Sequence, residues 1–187
     1  MGVSFTRREF MRAAAGASAA MAAVPAMAAA SRTRAVGAND RIRIGQIGCG
    51  GRGIGVHMKS VQQHAAAMNV EFVAVCDPWK VAREKAAAQV QQWTGREPRQ
   101  FVSYRDLLEK GEVDAVMIAS CDHQHTTHLE AAVRAGKHVY VEKPLATEFD
   151  RLVRACDAVK EAGVVCQVGT QVRDRKSTRL NSSHRIR

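Results

Sequence analysis

From residue 41 onward, apolar positions alternate between two patterns. Short β-rich runs are each followed by a stretch with apolar residues three and four apart, the spacing of a helix face. Ile42 to Ile47 is the first run, and Ile54, Met58 and Val61 mark the helix after it. Val70 to Cys76 predicts a second strand, ended by Asp77-Pro78. Pro78 suits the first turn of a helix reaching about Trp93, with Gly95 as its C-terminal cap. Phe101 to Ser103 predicts a short third strand, and a short helix runs from Tyr104 to Gly111. Val113 to Ala119 is almost wholly apolar, as in a central parallel strand covered on both faces. The next helix carries Leu129, Ala132 and Val133 on one face and is capped at Gly136, and His138 to Val141 predicts the fifth strand. Phe149, Leu152, Val153, Cys156 and Val159 predict an amphipathic helix closed by Gly163, with Thr147 and Asp150 resembling its capping box. Val164 to Val168 predicts the sixth strand. Strands alternating with helices in this way predict an α/β fold with a doubly wound parallel sheet of order 3-2-1-4-5-6. Its ligand belongs at the carboxyl ends of strands 1 and 4.

The two ends read differently from this 41–173 domain. Residues 1–30 open on Thr6-Arg7-Arg8-Glu9-Phe10-Met11 and continue through Ala13 to Ala30 without a charge, broken by Pro25. Small residues at Ala26-Met27-Ala28 or Ala28-Ala29-Ala30 suit a signal peptidase. The segment resembles a bacterial twin-arginine export signal, which predicts a periplasmic or otherwise exported protein and the export machinery as a partner. An uncleaved anchor fits less well, because the stretch is at the lower edge for a span and alanine is weakly apolar. Residues 31–40 form a polar linker. Residues 174–187 have no period and almost no apolar content, which predicts a disordered tail and looks like translated vector sequence, not native protein.

Composition is that of a globular protein, with 46% hydrophobic and 25% charged residues in 187. The net charge of +10 invites a nucleic-acid reading, but residues 1–30 contribute +2 of it and residues 173–187 contribute +5. No basic helix interleaved with aromatics lies between them, so no nucleic-acid partner is expected. The cysteines number five, an odd count without a CxxC pair, and read as buried or site-lining thiols.

The chemistry concentrates between Arg41 and Asp77. Gly48, Gly50 and Gly53 fit GxGxxG, preceded by a strand, followed by a helix and then by a second strand ending in an acid. Gly48 permits the tight turn, Gly50 lets the backbone approach a pyrophosphate, and Gly53 lets helix and strand pack closely. The helix N-terminus offers free N–H groups and its positive dipole end to the phosphates. Asp77, at the end of the second strand, is placed to accept hydrogen bonds from an adenosine 2′-hydroxyl and to repel a 2′-phosphate. NAD is therefore favoured, with NADP as the alternative cofactor.

Three features in order identify a family. They are Gly48-Cys49-Gly50-Gly51-Arg52-Gly53, the loop Asp122-His123-Gln124-His125, and Ala135-Gly136-Lys137-His138-Val139-Tyr140-Val141-Glu142-Lys143-Pro144-Leu145, with Gln167 to Arg173 following the sixth strand. Over residues 41–173 the chain resembles the Gfo/Idh/MocA oxidoreductases. The resemblance implies an NAD(P)-binding Rossmann domain and a second α/β domain that shapes the substrate pocket and usually the oligomer interface. A homo-oligomeric full-length form and a sugar or polyol substrate follow from it. On this reading the 187 residues lack the second domain and are an N-terminal fragment without turnover of its own. The resemblance also implies site roles. Gly48, Gly50, Gly51, Gly53 and Asp77 would bind cofactor, His125 would lie along it, and Glu142 would contact it and position Lys143. Lys143, beside the nicotinamide and the reacting hydroxyl, would be the catalytic residue, with a cis Lys143-Pro144 peptide. The expected reaction is hydride transfer between nicotinamide and a sugar or polyol. The alternatives are a redox-neutral glycosidase or lyase, and an inactive nucleotide-binding fragment.

Blander readings stand beside these. His123, His125 and His128 are close in sequence, but no familiar zinc spacing supports a metal site. Cys49 suits the glycine loop by its size, and Trp79 and Trp93 read as helix packing residues. Replacing Arg7 and Arg8 together with lysine is expected to leave the precursor in the cytoplasm. Fractionation that finds the variant exported normally would point to the general secretory route or an anchor.

Overall fold

The structure, a computed structural model, describes residues 41–170. The export signal, the linker and the tail lie outside the described residues. Six parallel strands form one sheet: β1 (Ile42–Ile47), β2 (Val70–Cys76), β3 (Arg99–Phe101), β4 (Ala115–Ile118), β5 (His138–Glu142) and β6 (Cys166–Gly169). Their order is β3-β2-β1-β4-β5-β6, with every neighbouring pair parallel, as the sequence predicts. Five α-helices connect them: α1 (Lys59–Met68), α2 (Lys80–Thr94), α3 (Tyr104–Lys110), α4 (His125–Arg134) and α5 (Phe149–Ala162).

Two buried clusters cover the two faces of the sheet. One joins Ile44, Phe72 and Val75 to Ile54, Met58 and the alanines of α2. The other joins Ile47, Ala74 and Cys76 to Leu107, Leu129, Val133 and Ala155. Phe72 and Ala74 are two residues apart yet face opposite ways. The cause is a register shift, since Ile44 pairs with Phe72 but Gly45 pairs with Ala74, so Val73 is the extra residue of a bulge. Past the bulge the side-chain parity inverts. At the start of β1 a guanidinium fork fixes the neighbouring strand. Arg43 donates through its backbone N–H (2.9 Å), Nε (3.2 Å) and Nη2 (3.0 Å) to the carboxylate of Asp114, the residue just before β4.

Several local expectations are corrected. The third strand ends at Phe101, because Ser103 caps α3 instead, its hydroxyl accepting the N–H of Arg105 at 3.2 Å. The fifth strand extends to Glu142, and the fourth and sixth are shorter than their apolar runs. No capping box opens α5: Glu148 is the N-cap and its side chain makes no capping bond. On α5 the buried residues are Ala155 and Ala158, while Phe149 is 76% and Val153 43% exposed. Close packing of α5 on α4 and the sheet buries the small side chains, with Val159 packed beside them and Phe149 and Val153 left outside. Trp79 is 66% exposed, so it is not a packing residue, whereas Trp93 packs against the cluster that holds Ile44, Phe72 and the alanines of α2. Cys156 is exposed on α5 and neither buried nor lining a site.

The turn before α1 is the other departure. Gly53–Met58 is π-helical, with Gly53, Ile54, His57 and Met58 buried. Burial at positions one, two, five and six is what a turn closed by i→i+5 bonds gives. It brings His57, at 3% exposure, into the interior.

Gly48 and Gly53 carry the entrance to this turn. Gly48 has φ +87°, and a Cβ there would sit 2.5 Å from the backbone of Ala119 at the end of β4. A Cβ on Gly53 would sit 2.1 Å from the Gly48 carbonyl oxygen. Gly53→Ala must therefore move backbone, and is expected to cost ~1–3 kcal/mol or more. Urea unfolding tests this against Gly55→Ala, where a Cβ meets nothing within 4 Å. Equal loss at both positions would remove the steric argument.

Candidate functional site

A cleft of about 550 Å³ opens at the carboxyl ends of β1, β2 and β4. Its floor includes Ile47, Gly48, Gly50 and Gly51, and its sides include Asp77, Pro78, Tyr104, Ser120, Gln124 and His128. The first helical bond after the glycine loop runs from the Ile54 N–H to the Gly50 carbonyl at 3.0 Å. The N–H groups of Gly51, Arg52 and Gly53 therefore precede the helix ladder and lack intrahelical acceptors. A Cβ on Gly50 or Gly51 would meet nothing within 4 Å, so open space lies over the loop backbone. That geometry accommodates a pyrophosphate on backbone donors. Both Asp77 oxygens have backbone donors, Oδ2 from the Cys49 N–H (2.8 Å) and Oδ1 from the Trp79 N–H (2.9 Å). An ionised carboxylate has about four acceptor sites, so capacity remains for ribose hydroxyls. The residues present fit a dinucleotide.

Glu142 and Lys143 stand at the end of β5. Glu142 is 3% exposed and accepts three kinds of donor. Its Oε1 takes Arg52 Nε at 2.6 Å and His57 Nε2 at 2.9 Å, and its Oε2 takes the Lys143 N–H at 2.8 Å. With the carboxylate ionised, Nε2 of His57 donates to it, and Nδ1 has no partner among the described residues. The His57 ring meets Tyr140 edge-on at 5.1 Å. The Lys143-Pro144 peptide is cis, as the resemblance implies. Lys143 is exposed.

His125 is 1% exposed, with Nδ1 2.7 Å from the Pro144 carbonyl and Nε2 3.0 Å from the Ser120 carbonyl. It ties the lysine turn to the end of β4, and the cleft is lined by its neighbours Gln124 and His128. His128 was outside the residues predicted to bind cofactor. Its Nδ1 is 2.9 Å from Ser120 Oγ, and its ring lies 4.3 Å from that of Tyr104. Arg52 and His57 were likewise missed as partners of Glu142. Arg52 was visible inside the glycine motif, but nothing in the sequence pairs residues 52 and 57 with 142.

Burial, followed by the neighbouring His125 and His123, pushes His128 down from 6.5 to about 4. Burial and Asp77 push the Cys49 and Cys76 thiols up to about 12, which fits packing and not redox chemistry. Above pH 6.5 His128 is neutral in folded and unfolded chains alike. Below it the unfolded chain takes a proton that the folded one refuses, so stability falls as the pH drops from about 6.5 toward about 4. His128→Gln is expected to flatten that part of the profile in urea unfolding. Parallel profiles for the two proteins would contradict the assignment.

Comparison with known proteins gives a consistent picture. Residues 42–170 match the family model described as oxidoreductase family, NAD-binding Rossmann fold. A glycosyl hydrolase family 109 protein 2 of Shewanella sp. (strain ANA-3) is 32% identical over 169 residues, covering 79% of this chain and 35% of that protein. The WlbA dehydrogenase from Bordetella pertussis, solved with NADH and UDP-GlcNAcA, superposes with a TM-score of 0.67 at 32% identity, covering 76% of this chain and 42% of that one. The scyllo-inositol dehydrogenase from Lactobacillus casei, at 23% identity and a TM-score of 0.62 over 78% of this chain and 41% of that one, shares the fold. The chain spans about a third of the length of such curated relatives, 35% and 28% in two of them. With the family model covering the whole described sheet, this chain belongs to the Gfo/Idh/MocA oxidoreductase family and forms its NAD-binding Rossmann domain.

Proposed function

We propose that this chain supplies the cofactor domain of an exported NAD-dependent oxidoreductase acting on a sugar or polyol. The observation that carries the reading is the joint held by Glu142. One buried carboxylate takes hydrogen bonds from Arg52 of the glycine loop, His57 of the π-helical turn and the backbone of Lys143. The lysine turn and the pyrophosphate loop are thereby one rigid unit, which is what positioning two reactants requires. NAD, when bound, supplies the hydride acceptor. The glycine loop holds its pyrophosphate and Asp77 its adenosine ribose. The exposed Lys143 ammonium would meet the substrate oxygen, orient it and stabilise negative charge on it. Support for the substrate class comes from similar solved structures, a dehydrogenase in complex with the nucleotide sugar UDP-GlcNAcA and one named as a myo-inositol dehydrogenase. Export rests on Arg7-Arg8 and the uncharged stretch after them.

The names of the Shewanella relatives favour a second reading, a glycosidase in which NAD is reduced and reoxidised within one turnover. The intact gene product, incubated with NAD and a panel of sugars and polyols, separates the two. The dehydrogenase reading expects NADH to accumulate, and Lys143→Met to lower kcat about 100-fold or more while NAD affinity stays within a few fold. Cleavage of a glycoside with no lasting NADH would replace it with the second reading.

A further inference from the structure

Away from the dinucleotide cleft, a groove of about 410 Å³ runs between helices α3, α4 and α5. Four arginines line it, Arg105 from α3, Arg134 from α4, and Arg151 and Arg154 from α5. One carboxylate lines it with them, Glu130, which Arg134 engages weakly at 3.4 Å. Arg151 pairs at 3.0 Å with Glu148, an exposed partner outside the lining. The Arg105 Nε donates to the Tyr104 hydroxyl at 3.2 Å, which neutralises nothing. Arg154 has no carboxylate partner among the described residues. The volume lies in the range of small-ligand pockets.

Guanidinium groups held together repel one another, and exposed ion pairs offset little of that. Four of them lining one groove, against the two carboxylates Glu130 and Glu148 that pair with them, leave an excess of positive charge and unused forked donors. Arginine is the side chain whose planar fork matches the oxygens of phosphate in pairs. The floor between the arginines is made of Thr127 and Ala131 on α4, small side chains that leave the groove open between the guanidiniums. Tyr104 closes one end and is shared with the dinucleotide cleft, so the two cavities are neighbours with separate linings of charge.

We propose that this groove is a second anion site, binding a phosphate-bearing ligand through Arg105, Arg134, Arg151 and Arg154. The probe is pyrophosphate, titrated calorimetrically into the 187-residue protein at low salt with NAD at saturation, so that the glycine loop is occupied. A parallel arm measures sedimentation with phosphatidylglycerol vesicles against phosphatidylcholine vesicles, which separates a free phosphate ligand from a lipid headgroup. The double variant R151E/R154E is expected to weaken binding about tenfold or more, because it removes two forked contacts and reverses their charge. Arg154→Ala removes no ion pair and keeps the fold, and is expected to weaken binding about threefold or more. Binding in either arm that both variants reduce supports the site and names its source. Absence of binding in both arms, or binding that neither variant changes, overturns it.

Discussion

The site depends on one buried carboxylate. Glu142 lies at the end of β5, across the sheet from the glycine loop, and its acceptor sites are taken by Arg52, His57 and the Lys143 backbone. A buried carboxylate is tolerable only when fully engaged, so the three donors and the acid stabilise one another's positions. The order of strands makes this possible. β1 and β5 flank β4, so the loop after β1 and the turn after β5 meet over its end. His125 sits between the same turn and the end of β4, its ring nitrogens facing the Pro144 and Ser120 carbonyls, one of which accepts its N–H. Lys143 can therefore remain exposed while the backbone that carries it is held from two directions.

Much of the architecture was legible because the inner strands carry dense apolar runs, such as Phe72 to Cys76 and Ala115 to Ala119, as strands covered on both faces do. The same property hid the bulge. Phe72, Val73, Ala74, Val75 and Cys76 are all apolar, so no alternation marks where parity inverts. On α5, pattern reasoning favoured the large residues, and packing density chose Ala155 and Ala158. Helix–helix contact rewards a close approach, which a hydrophobic period does not record.

At the site, local motifs were readable and long-range pairings were not. The glycine loop, Asp77 and the Glu142-Lys143-Pro144 turn each announce themselves in a few residues. The contact of Glu142 with Arg52 spans 90 positions and exists only once the sheet order is built. Ser120 and His128, eight residues apart, meet because a short 3-10 turn, Asp122–Gln124, lets the chain double back before α4 begins. Asp77 shows the limit from the opposite direction. Its place at the end of β2 was plain, yet its service to the loop, accepting the Cys49 and Trp79 N–H groups, was not.

The π-helical stretch between Gly53 and Met58 has a consequence for how such chains are compared. A wider turn amounts to one residue inserted into a helix without breaking it. Each residue of an α-helix advances the direction of its side chain by about 100°. Upstream of the insertion the glycines keep phase with β1; downstream, Met58 and Val61 keep phase with the core. Against a chain whose corresponding turn is a regular α-helix, an alignment anchored on the glycines and one anchored on the helix that follows would disagree by a single position. A gap placed within residues 53–58 reconciles them. Deleting a residue there would regularise the helix but turn His57 away from Glu142, so a length difference in this segment carries more meaning than a substitution.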